Sequence, residues 1–503
     1  MLVQGIKSSL IASVLSRGWS AALALALVPF AIRYLGVEAY GIVGVFASIS
    51  AAVVFLDLGL GPTLVRILNR PDIDGMSKTA HRDALRTFEL TYACVAIALL
   101  VIVAALAIPI SLYWIRVNEI TTETAAAAIA ISGLALATQW PSSLYSAGLT
   151  ALNKQTQLAI LTSGTSTIKF VITITALHHS PTLYAFFFAQ IVSNAAQTAV
   201  LRTALWSALK KTDHQARFDS QILRDSIGFA GGMTGITLTS IALTQADRFV
   251  LSKALDLKVF GAYVLAATLA SGMYIIISPI YSVMYPRLSA AWQSNNKSDL
   301  AKLYHYGAEI IAITTIPLAV TGAMYAANLL NLWTQDDSIG EAAGLTLAAL
   351  LIGNMFNGIM NMPYALQVAA GWTRLTLLIN LGSIALIIPL LWLASIQYGM
   401  VGAACAWLGL NFVHLIITPS LVHRYILRGE MKRWYWAGVL RPAFTTVAVM
   451  LAIISLNNAA GLHLPWIIES VLVWISITLA IAGSSESVRV ALMKRLSSVE
   501  PRY

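Results

Sequence analysis

Charge and cysteine are what this sequence has least of. Only 11% of its 503 residues are Asp, Glu, Lys or Arg, and two are cysteine. A soluble domain covers itself with roughly 25% charged residues, so a soluble surface is excluded. Cys94 and Cys405 both fall inside apolar runs, which excludes a disulfide framework and leaves them as expected packing residues. No His, Cys or carboxylate cluster has metal-ligand spacing. The run Gly228-Phe-Ala-Gly-Gly-Met-Thr-Gly235 lacks the Lys of a phosphate-binding loop and reads as a close-packing or bending segment. No cofactor is implied, and no long joint offers room for an extramembrane active site.

What remains is apolar: 58% of residues are hydrophobic. A bilayer core of roughly 30 Å needs about 20 such residues per helix. Fourteen spans are expected, near 10–34, 41–66, 86–113, 124–150, 157–178, 182–208, 224–245, 258–286, 303–328, 341–367, 375–395, 399–423, 438–457 and 465–483. The first run is too long for a signal peptide and carries Arg17, so it reads as a retained helix. The fold class is all-α, a polytopic membrane protein.

The joints between spans alternate in charge. With the amino terminus inside, 25 of the 32 basic residues fall on inward joints and tails, five fall outside (Arg33, Arg116, Arg248, Lys253, Lys258), and Arg17 and Lys169 lie within spans. This is the positive-inside pattern, and it places both termini in the cytoplasm. The net charge of +10 is spread over every inward joint, so it matches anionic membrane lipids and implies no nucleic acid.

The two halves repeat weakly. Tyr145 to Lys154 is matched by Tyr364 to Arg374, each a Tyr, a small-residue stretch and one cation. Glu89 follows Arg82 by seven residues, as Glu309 follows Lys302. Six spans against six in one orientation make a parallel repeat. The expected division is a six-helix lobe over 1–222, a second over 223–425, and an extra helix pair with a tail over 426–503.

Pro29-Phe-Ala-Ile-Arg-Tyr-Leu-Gly36, Ala39-Tyr-Gly41, Asp57-Leu-Gly59 with Arg66, Ala246-Asp-Arg-Phe-Val-Leu-Ser252, Gly261-Ala-Tyr263, Pro286-Arg-Leu-Ser289 and Tyr398-Gly-Met-Val-Gly-Ala-Ala404 occur in order. Together they resemble the Wzx-type polysaccharide or O-antigen flippases of the multidrug/oligosaccharidyl-lipid/polysaccharide exporter superfamily. The resemblance implies movement of an undecaprenyl-diphosphate-linked oligosaccharide across the cell inner membrane by alternating access. It also implies work beside a polysaccharide polymerase and assembly proteins, as a monomer and not an enzyme.

An ionised group at membrane depth is costly unless paired or hydrated, so it is a functional candidate. Arg17, roughly 12 Å into its span, and Asp57, roughly 13 Å deep, can meet as a pair; fixing helix register is the equal alternative. Lys169, roughly 18 Å deep, has no acid on its helix and suits a diphosphate. Arg66 and Arg248 sit at span ends, as interfacial anchors or substrate contacts; the resemblance favours an outer gate at Asp247-Arg248. Glu89 and Glu309 are read either as cavity carboxylates that bind a proton or sodium ion, or as solvated helix ends. Two other functions stay open: a multidrug exporter of the same superfamily, for which acid-dominated cavity walls are expected, and a membrane enzyme acting on lipid-linked sugars, for which a large outward loop is expected.

Overall fold

The computed structural model describes residues 2–55, 60–68, 77–209, 215–460 and 465–485. They form nineteen α-helices among the described residues: α1 (Leu2–Leu35), α2 (Val37–Phe55), α3 (Leu60–Leu68), α4 (Ser77–Pro109), α5 (Thr122–Gln139), α6 (Ser142–Ala151), α7 (Gln155–His179), α8 (Leu183–Ala208), α9 (Ser220–Ala254), α10 (Leu257–Ser271), α11 (Tyr274–Gln293), α12 (Lys297–Met324), α13 (Ala326–Thr334), α14 (Asp337–Ile359), α15 (Asn361–Ala369), α16 (Thr373–Tyr425), α17 (Met431–Tyr435), α18 (Arg441–Ala460) and α19 (Trp466–Ser484). The all-α expectation holds. Helices satisfy their own backbone polar groups, which the bilayer cannot do for them.

Eight of these helices are long and apolar enough to cross a membrane, or nine if α10 and α11, bent by 41°, form one span. Spans expected as continuous are in places broken. The 124–150 span becomes α5 and α6, because Pro141 has no amide hydrogen to continue the ladder. The 375–395 and 399–423 spans run together as α16 and part only at Gly399, whose φ of 59° and ψ of −142° are open to glycine alone. Polar caps start the helices after their joints: Thr121, Thr182, Asp219, Asn296 and Asp336 each accept a first-turn amide hydrogen.

The chain folds as two compact units, Met1–Val264 and Leu265–Tyr503. In the first, α7 packs between α1 and α8, α5 packs on α4 and α8, and α2 packs on α9. Leu85, Phe88, Tyr92, Leu144, Tyr145, Leu201 and Leu205 make its densest core. In the second, α14 packs against α12, α13 and α16, while α12 also holds α11, α18 and α19. Outward faces are apolar, as Ile97, Val101 and Ile108 of α4 and Phe444, Leu451 and Leu479 of α18 and α19 are exposed. A soluble helix would present charge there. Cys94 and Cys405 are also exposed, which corrects their expected role as packing residues.

Candidate functional site

Lys169 stands halfway along α7 and donates to Asn194 Oδ1 on α8 at 3.0 Å. Asn194 is buried and donates in turn to the Ala135 carbonyl of α5 at 3.1 Å. One amide thus ties three helices together and presents its oxygen to the ammonium. No carboxylate bonds Lys169 among the described residues, so the cation has a neutral partner. Arg17 is exposed on α1. Its expected partner Asp57 and the side chain of Arg66 lie outside the described residues.

A hydroxyl seam beside Arg17 went unread in the sequence. Ser16 Oγ donates to the Ala159 carbonyl at 3.0 Å and meets Thr162 and Ser163 at 2.9 Å; Ser20 meets Ser166 at 3.0 Å, and Trp19 Nε1 donates to Thr167 at 3.0 Å. Hydroxyls at 16 and 20 on α1 and at 162, 163, 166 and 167 on α7 share facing helix sides. That spacing was the available signal. Interhelical bonds of this kind are the glue of membrane bundles.

Glu89 is buried at the Lys/Arg-rich end of α4 and accepts from Tyr145 Oη (3.0 Å), Arg202 Nε (2.8 Å) and Trp206 Nε1 (2.7 Å), with Arg86 at 3.4 Å. Arg82 lies over the Trp206 ring, 5.1 Å from its centroid. Glu309, its counterpart in the expected repeat, is also buried and faces Arg441 Nη2 at 3.4 Å and the Ser485 hydroxyl. Both carboxylates are enclosed and charge-paired. Their cations come from different places, Arg202 from α8 and Arg441 from α18.

At the Lys/Arg-poor end, three of the quoted motifs converge, those holding Gly41, Asp247 and Gly261. An added Cβ on Gly41 would lie 2.6 Å from the Leu257 carbonyl oxygen, and one on Gly261 would overlap the Val37 carbonyl oxygen, so α2 and α10 meet backbone to backbone. Glu38, fully buried, accepts amide hydrogens of Asn118 and Glu119 at 2.6 and 2.7 Å. Leu257 N donates to the Arg116 carbonyl at 2.9 Å, and Lys258 pairs with Glu119 at 2.6 Å. Tyr263 Oη donates to Asp247 at 2.7 Å. The neighbouring Arg248 is half-buried on the wall of an apolar cavity of about 430 Å³ that Ile49, Leu106, Tyr113 and Phe249 also line.

This all-helical arrangement is shared with solved structures. The Lipid II flippase MurJ in its inward closed conformation matches with a TM-score of 0.73 at 16% identity, over 94% of this chain and 98% of that one. An inward-facing multidrug resistance MATE family transporter of the MOP superfamily matches at 0.65 and 15% identity, over 82% and 96%. The chain thus shares its fold with these solved proteins. The chain belongs to the polysaccharide biosynthesis protein family, whose model matches residues 31–335. A putative O-antigen transporter of Shigella flexneri is 25% identical over 179 residues, which are 36% of this chain and 42% of that relative. The chain therefore matches less than half the length of that relative. The Wzx-type resemblance drawn from the quoted motifs agrees with these matches.

Proposed function

We propose that the protein is a flippase that moves an undecaprenyl-diphosphate-linked oligosaccharide across the cell inner membrane, with both termini in the cytoplasm. Lys169 carries the reading. A half-buried ammonium that among the described residues has only an amide for a partner keeps its charge best when an anion or hydrated cavity faces it, and a diphosphate is the anion such a substrate supplies. Family membership and the O-antigen transporter relative support the substrate class.

In this reading fourteen spans form lobes over 1–222 and 223–425 with a terminal pair over 426–503. Arg17, Arg66 and Arg248 join Lys169 along the substrate path, and Asp57, Glu89 and Glu309 balance charge or couple an ion. The protein works as a monomer beside a polysaccharide polymerase and assembly proteins, and it performs transport without catalysis. The test is surface polymer in a strain whose own flippase is deleted. Restoration by this chain supports the reading, and absence of polymer at normal membrane levels overturns it.

A further inference from the structure

Histidine 305 sits two turns into α12, on the same face as Glu309 one turn further along. Its Nε2 lies 2.7 Å from Glu430 Oε2, in the joint before α17. The histidine side chain is 4% exposed and the glutamate 30%, so the pair joins water at the Lys/Arg-rich side to the interior of the second unit. A carboxylate only accepts, so in the neutral ring the proton sits on Nε2 and the lone pair on Nδ1. That nitrogen is buried and has no hydrogen-bond partner among the described residues.

Three further polar atoms share this condition: Tyr304 Oη, His423 Nε2 and Trp434 Nε1. His423 Nδ1 lies 2.6 Å from the Pro419 carbonyl, which only accepts, so its Nε2 is likewise a bare lone pair. The Tyr304 and His423 rings have centroids 5.5 Å apart, and His423 and Trp434 5.7 Å. Buried polar atoms are almost always bonded. Four atoms unpartnered among the described residues, two of them imidazole nitrogens, fall on one cluster of contacting rings, which sets this spot apart from an ordinary apolar core.

Among the described residues, the charged and titratable groups bearing on His305 are Glu430 and Arg433 beside it, His423 from α16 and Glu309 on its own helix. Arg441 of α18 acts through Glu309. Lys302, one turn earlier, is paired with Asp299, and Arg287 of α11 is exposed.

We propose that Glu430 and His305 form a proton-uptake site that serves Glu309. Imidazole is the side chain that changes charge near neutral pH, and a carboxylate on one nitrogen orients the ring and strengthens the other as a base. A proton from water adds to the lone pair at Nδ1 and gives an imidazolium whose Nε2–H stays on Glu430. Passage of that proton by way of water to Glu309 restores the neutral ring and leaves a carboxyl group, which no longer holds Arg441 by charge. This use of Glu309 rests on the transport reading; the proton site itself does not.

The test uses the full-length protein with ¹⁵N-labelled histidine rings in lipid nanodiscs, observed by NMR from pH 5 to 9, with the His305 signals assigned by their loss in His305→Gln. We expect His305 to titrate in this window. Its midpoint should fall by about one pH unit in Glu430→Gln and also fall in Glu309→Gln, because each change removes a nearby negative charge. A His305 ring that does not titrate, or midpoints unmoved by both variants, overturns the proposal. Glu430→Gln leaves the buried ring in place, so it remains readable where His305→Gln lowers protein levels. In the polymer assay, Gln at 305 still donates to Glu430 but cannot carry a proton. The relay therefore predicts at least about a tenfold loss of export at equal membrane level, whereas near-normal export sinks it. If the unaltered chain exports no polymer, the flippase reading fails while the NMR result still decides the proton site.

Discussion

Lys169 and Asn194 are joined at 3.0 Å across α7 and α8, a cation held by a neutral amide that is itself anchored to a backbone carbonyl on α5. The amide fixes the ammonium in place without neutralising it. In the proposed function, that uncompensated charge is what the diphosphate meets.

Lys169→Ala should therefore cut surface polymer by about tenfold or more, the scale on which losing a charged hydrogen-bond partner of roughly 1.5 to 3 kcal/mol is felt. Lys169→Arg should retain much of the export. Membrane levels should stay normal, since a neutral residue at depth inserts more easily. Full polymer from Lys169→Ala, measured at equal expression, would assign the residue to packing.

The Glu89 hub predicts a stability effect instead. Glu89→Ala leaves the donors of Tyr145, Arg202 and Trp206 without their acceptor. Removing one partner of a fully buried pair costs about 3 to 5 kcal/mol. The Arg202 side chain is 48% exposed, so water recovers part of the loss and about 2 kcal/mol is expected. Thermal unfolding in detergent should show a clear drop in midpoint, and an unchanged midpoint would show that the hub does not hold α4 to α6 and α8.

Gly261→Ala places a methyl group against the Val37 carbonyl, where backbone cannot retreat as a flexible side chain can. Overpacking of this kind costs about 1 to 3 kcal/mol. We expect a lowered melting midpoint and weakened cysteine cross-linking between positions placed on α2 and α10. Gly18→Ala, where an added Cβ meets nothing within 4 Å, is the control.

The α1 to α7 hydroxyl seam should be individually modest. Ser16→Ala is expected to cost about 0.6 kcal/mol, the average for an interhelical bond in a membrane bundle, because the unpaired partners find other acceptors on their own helices. Detergent melts of Ser16→Ala and the double variant with Ser20→Ala measure this; a loss of several kcal/mol from the single change would mean that the seam is tightly coupled.

The sequence by itself determined the class. Long apolar runs oblige the backbone to bond within helices, and the short motifs around Arg33, Asp247 and Gly261, read in order, pointed to the family that the matches then bore out. It also singled out Lys169, Glu89 and Glu309, because charge inside an apolar run stands out without any knowledge of neighbours. What each of these charges touches was decided only by the tertiary structure. The repeat made Glu89 and Glu309 equivalents, yet Arg202 of α8 serves one and Arg441 of α18 the other, 113 and 132 residues away in sequence. His305, Glu430 and His423 were invisible for the same reason. A lone histidine at a span end carries no periodic signal, and a basic nitrogen becomes a candidate proton acceptor only when packing brings a carboxylate to one side of its ring and leaves the other without a partner.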